Sequence, residues 1–183
     1  RYLRRRVWRT MRRAGELGDL DYVKLAVGVL LAFKDDDVGE GAARGWNGYW
    51  SFNWILHAHN PEYKASPNGT VFRTQRTRVP IPAREEAFPA LWDQRPEGLM
   101  HLLAESDCRL VAEFAAKIIR ANPTFLSQLE DDDLLVLLSR PYLAVAELGF
   151  ELAQKRYDRD RPNLALLVGL AQCAHPPART QAF

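Results

Sequence analysis

Arginine dominates the first turns of the chain. Residues 1–13 carry seven arginines, at positions 1, 4, 5, 6, 9, 12 and 13, and no acid. On a helix advancing about 100° per residue, Arg5, Arg6, Arg9, Arg12 and Arg13 gather on one face, opposite Leu3, Val7, Met11 and Ala14. Like charges one turn apart repel, and no acid at that spacing is expected to neutralise them. As a solvated helix face the segment needs nothing further; alternatively, an anion nearby would relieve the repulsion. A guanidinium fork takes phosphate or carboxylate in a bidentate grip, so a nucleic-acid backbone and an acidic protein both qualify. The acidic runs Asp35–Asp37 and Glu130–Asp133 are the internal rivals for those arginines.

Trp46, Trp50 and Trp54 recur at every fourth position, which sets them on one stripe of a short helix. Rings at that spacing belong between packed helices. The sharper reading is a stacking platform for unpaired bases, with Arg73, Arg76 and Arg78 supplying the neighbouring charge. His57 and His59, with Glu62 following, lack a third ligand at a recognised metal spacing and read as structural or surface residues. Glu130–Asp133 stand before an apolar helix, where carboxylates favour the positive end of its dipole. They also lack the alternation and the glycine of a calcium loop. Nucleotide-binding loops, nucleophile elbows and zincin helices have no counterpart in the sequence. It yields no catalytic residue, no metal and no cofactor.

Which elements must position these groups follows from composition and periodicity. The 183 residues are 47% hydrophobic and 26% charged, as in a soluble domain or a short repeat array. The longest apolar run, Leu25 to Phe33, is about half of what crosses a bilayer, so no membrane partner is expected. The net charge of +2 hides an asymmetry: of 25 basic side chains, seven lie in residues 1–13, leaving 18 against 23 acids elsewhere, a balance of −5. Cys108 and Cys173 sit beside apolar helix positions and read as reduced core residues of an intracellular, cytoplasmic chain. Both ends fall in helical pattern, as expected of a piece of a larger protein.

Three segments follow. Residues 1–57 predict a basic helix over 2–14, ended by Gly15 and Gly18, and a second helix from Leu20 to Phe33. That second helix is apolar almost all round, so it is expected between two others, with Leu3, Val7 and Met11 packed onto it. Residues 58–84 hold Pro61, Pro67, Pro80, Pro82 and the turn signal Asn68-Gly69, and predict a small two-stranded, β-hairpin insertion. Residues 85–183 return to helix and repeat themselves. Val111-Ala112-Glu113-Phe114 and Val145-Ala146-Glu147-Leu148 lie 34 residues apart, and Leu102-Leu103 and Leu137-Leu138 lie 35 apart. Helix pairs over 96–120, 131–157 and 163–183 are expected to stack, burying Leu103, Val111, Phe114, Ile118, Leu138, Val145, Leu148, Leu152 and Leu167.

This succession of apolar helix, break and Val-Ala-Glu helix resembles HEAT-like repeats over about residues 96–183, and more loosely over 1–57. The resemblance implies an all-α fold, a short α-solenoid of HEAT-like helix pairs with one non-helical insertion. It also implies a non-catalytic scaffold that engages a protein partner, other domains of a parent protein, or a polyanion. The alternative is a nucleic-acid-binding module or an enzyme similar to the HEAT-like alkylpurine DNA glycosylases. Those use aromatic, acidic and arginine side chains around a damaged base. Here Trp92, Asp93 and Arg95, or Trp50 and Trp54, would stand in their place.

Overall fold

Apolar periodicity becomes helix along most of the chain. The computed structural model describes residues 2–38, 50–65, 72–74 and 78–181. They divide between two units, residues 1–98 and 99–183, and both are predominantly helical.

The first unit opens with α1 (Tyr2–Glu16), two residues longer than its pattern suggested, and α2 (Asp21–Leu31). Gly18 closes α1 at φ 71°, a left-handed conformation that costs glycine little. Asp19 N–H then reaches back to the Ala14 carbonyl at 2.9 Å. The Asp19 carboxylate accepts from Asp21 N–H at 2.9 Å, so it holds the start of α2 from just outside the helix.

α2 packs on α1, on α4 (Trp50–His57) and on α5 (Pro89–Gln94). Tyr22, Val23, Ala26, Val27 and Leu30 are buried in doing so. The expected place between other helices is thus occupied, but an outer side stays open: Leu25 is 37% exposed and Lys24 pairs outward with Asp21 at 2.8 Å. A short helix, α3 (Asp35–Val38), follows α2.

The insertion holds two strands, β1 (Tyr63–Ala65) and β2 (Phe72–Thr74), paired antiparallel with Tyr63 opposite Thr74 and Ala65 opposite Phe72. No helix occurs among the described residues of 58–84. Asn68-Gly69, the predicted turn, lies outside the described residues.

Residues 84–89 hold this unit together. His57 Nδ1 and Asn60 Nδ2 meet Glu85 Oε2 at 3.1 and 2.5 Å, and His59 N–H donates to the Glu85 carbonyl at 2.8 Å. Ala87 N–H donates to Ile55 of α4, while the Ala87 carbonyl accepts from Tyr22 Oη and Trp92 Nε1 at 3.3 and 3.2 Å. Phe88, at φ 52°, turns the chain into α5, whose first residue is Pro89. Tyr22 lies edge-on to Phe88 and Trp92, with ring centroids 5.0 and 6.1 Å away.

α6 (Pro96–Glu105) carries the chain from the first unit into the second. There α7 (Arg109–Arg120), α8 (Pro123–Leu126), α9 (Asp131–Ser139), α10 (Leu143–Arg156), α11 (Leu164–Gln172) and α12 (Pro176–Gln181) follow in order. α9 packs against both α10 and α11, α10 against α7, and α11 against α12. Of the nine expected core residues, eight are buried. Leu167 is the exception and is only half-buried, because α11 turns Leu166 and Leu170 inward instead.

Polar side chains tie the second unit's helices across their breaks. Arg156 of α10 bonds Asp131 Oδ1 at 3.2 Å and the Leu129 carbonyl, and Asn163 Nδ2 holds Asp131 Oδ2 at 2.7 Å. Asp133 accepts from Glu130 N–H at 2.8 Å, capping α9. The acidic run therefore serves the helix start, as expected, and also anchors α10 and the start of α11. Cys108 and Cys173 are buried and are not joined in a disulfide.

Candidate functional site

α1 displays the arginines because only a narrow stripe of it is covered. Met11 and Gly15 are buried and Trp8 and Ala14 half-buried, marking the face turned to the rest of the first unit. Across the helix, Arg5, Arg6, Arg9, Arg12 and Arg13 are all exposed. By helical position they span an arc of about 120°.

The expected packing of Leu3 and Val7 on α2 does not occur: they are 73% and 47% exposed. The covered stripe runs through Trp8, Met11 and Gly15, rotated away from them, because Trp8 is drawn to the aromatic rings of α4. Its ring centroid is 3.9 Å from that of Trp50 and 6.4 Å from that of Trp54, edge-on to both.

Electrostatically the face is almost unrelieved. Arg9 has arginines at i±4 (Arg5, Arg13) and at i±3 (Arg6, Arg12), each neighbour costing about 0.2–0.5 kcal/mol at low salt. The first turn of α1 holds no acid to meet the helix dipole. Contrary to the expectation of no neutralising acid at i,i+4, Glu16 pairs with Arg12 at 2.7 Å. That acid lies just past the arginine-rich stretch. Arg12 also sits over the Trp8 ring, 5.5 Å from its centroid.

Arg9 Nε donates to the Arg5 carbonyl at 3.3 Å, which lays its guanidinium along the helix surface. Arg5, Arg6, Arg9 and Arg13 have no carboxylate partner among the described residues. The rival pairing with Asp35–Asp37 is not seen for them; Asp37 instead accepts from Lys34 N–H at 2.9 Å. Within the second unit, Asp131 of the acidic run Glu130–Asp133 is held by Arg156 and Asn163.

The other sequence-derived candidates are scattered. Trp50 and Trp54 stack nearly parallel, 6.2 Å apart at 9°, but both are half-buried against Trp8. They share an interface between α1 and α4, which is the packing role. Trp46 and Arg76 lie outside the described residues, and of Arg73 only the backbone is described, opposite Lys64 in the hairpin. Arg78 is exposed on an irregular segment.

Of the residues considered for a base-binding cleft, Trp92 and Asp93 are committed elsewhere, and Arg95 is exposed. Trp92 is fully buried with its N–H on the Ala87 carbonyl, and Asp93 is gripped by Arg84 Nη1 at 2.9 and 3.2 Å. His57 is spent on Glu85 and stacks on Tyr63, with centroids 4.2 Å apart. Among the described residues no three His, Cys, Asp or Glu side chains converge to hold a metal, and no helix is long and apolar enough to cross a membrane.

Sequence reasoning missed Arg84 and Glu86. Glu86 is a wholly buried carboxylate whose Oε1 takes Arg84 Nε at 2.5 Å and whose Oε2 has no hydrogen-bond partner among the described residues. Burial works against the Arg84 charge, but bonds and proximity to Glu86 and Asp93 outweigh it and raise the guanidinium further above its ordinary value. The available signal was Arg84-Glu85-Glu86, separated from Phe88-Pro89 by Ala87 alone, three charges where a helix is about to start. Compared with family models, curated proteins and solved structures, the chain matches none.

Proposed function

We propose that this chain is a non-catalytic binding module. In it, α1 offers an arginine face to an anionic partner, and the helices of residues 99–183 form a HEAT-like scaffold. One observation carries the reading: Arg5, Arg6, Arg9 and Arg13 are exposed on one helix face with no carboxylate partner among the described residues. A cluster that repels itself at i,i+3 and i,i+4 is relieved by an outside anion. The scaffold half of the proposal is supported by the packing of α9 on α11 and of α10 on α7. The first helices of the second and third expected pairs meet there, and the second helices of the first and second pairs, a neighbour-to-neighbour contact of the kind a repeat array uses.

The test is to titrate the chain with labelled duplex DNA, single-stranded RNA and an acidic peptide at two salt concentrations. Binding of at least one should weaken steeply with salt, and for a nucleic acid each phosphate contact contributes about 0.7–0.9 to the log–log slope. Arg5→Glu with Arg9→Glu should abolish that binding and leave helicity unchanged. Salt-insensitive binding, or a double variant that melts early instead, overturns the proposal.

A further inference from the structure

The exposed apolar residues of α1 narrow the partner's chemistry, on the reading that its arginines take an anion. Leu3 and Val7 stand one turn apart, and Thr10 continues their row; all three are exposed. By helical position this row borders the arginines through Arg6. α1 therefore offers a cationic strip and an apolar strip side by side. Single exposed apolar residues need no explanation. Here two of them share a row that runs alongside an uncompensated charge cluster, and both escape the packing that their periodicity predicts.

Two kinds of anion treat such a surface differently. A phosphate backbone satisfies the cationic strip but offers little apolar surface to cover Leu3 and Val7. An acidic amphipathic helix satisfies both strips at once. Its carboxylates lie across the guanidinium forks, and its apolar row seats against the i,i+4 row of α1 as one helix ridge fits another's groove. We infer that the partner of α1 is a protein segment, an acidic amphipathic helix. It lays its apolar row on Leu3 and Val7 and its carboxylates across Arg6, Arg9 and Arg13.

The probe is a synthetic peptide of about 15 residues, the roughly 22 Å length of α1. It carries leucine at i, i+4 and i+7 and glutamate along one flank. A scrambled peptide of the same composition and a single-stranded oligonucleotide of similar charge serve as comparisons. Fluorescence anisotropy with the whole chain should show the ordered peptide binding about tenfold more tightly than either. Leu3→Ala with Val7→Ala, which preserves helix propensity, should lower that affinity about tenfold and leave oligonucleotide binding unchanged.

Circular dichroism should show the variant folded, since both side chains lie outside the core. Two results overturn this inference while sparing the anionic-partner reading: oligonucleotide binding as tight as that of the ordered peptide, or no effect of the alanine pair on the peptide. Absence of salt-sensitive binding for every probe overturns both.

Discussion

The Phe88 ring rests on the backbone of Gly15, so closely that a Cβ there would lie 2.0 Å from Phe88 Cε2. This contact fixes α1 against the turn that leads into α5, and it needs a residue without a side chain. In an ordinary helix interior, glycine to alanine is stabilising by about 0.5–1 kcal/mol. Here Gly15→Ala should destabilise by roughly 1–3 kcal/mol, because the ring must move and Trp54 and Tyr22 pack around it. Adding Phe88→Leu should recover part of the loss. A thermal melt of the single and double variants decides the sign.

The buried carboxylate of Glu86 makes Arg84 more valuable than its partly exposed position suggests. Arg84 bridges Glu86, Asp93 and the Pro89 carbonyl, the last at 3.1 Å. Removing it strands the buried Glu86 carboxyl without its partner. Arg84→Met should therefore cost roughly 3–5 kcal/mol in urea unfolding. Arg84→Met with Glu86→Leu should cost clearly less than the single change, since no charge is then stranded.

How far each feature was legible depends on whether neighbours or distant chain decide it. The inner faces of α7, α9 and α10 follow from period alone, because consecutive apolar positions such as Val111, Ile118 and Leu148 have one face to bury. Leu3 and Val7 obey the same period and are exposed. A stripe says that a face can be covered, and only the remote residues Trp50 and Trp54, by claiming Trp8, decide which face is. Arg84 and Glu86 were invisible to apolar counting, since a buried charge is recognised by its partner in space. Glu16 was missed for a plainer reason: it lies past the cluster it serves.

Phe114 and Leu167 separate the core of the second unit from its margin. Phe114 is 8% exposed on α7, whereas Leu167 is only half-buried on α11. Phe114→Ala should cost roughly 3–5 kcal/mol, in the range of large cavities. Leu167→Ala should fall well below the roughly 2–5 kcal/mol of a buried leucine, while Leu166→Ala should reach that range. Equal losses for Leu166 and Leu167 in denaturant unfolding would contradict the orientation of α11.

Tyr22 sets an alkaline limit on the first unit. Its phenol donates to the Ala87 carbonyl at 3.3 Å with none of its surface exposed. Burial raises its pKa well above the ordinary 10.0, Trp92 opposes this by hydrogen bonding, and the charge of Glu86 adds to the rise. The unfolded chain releases this proton near 10.0, while the folded chain keeps it. The stabilising effect is thus complete below that pH and is lost as pH climbs from there toward the folded value, at about 1.4 kcal/mol per pH unit. Tyr22→Phe removes a hydrogen bond worth about 0.5–1.5 kcal/mol, so near neutrality it should be the less stable protein. It also removes the titration. Urea unfolding at about pH 8 and about pH 11 should therefore show the gap between the two proteins shrinking or reversing. A gap independent of pH would mean that the phenol reaches water in the folded chain.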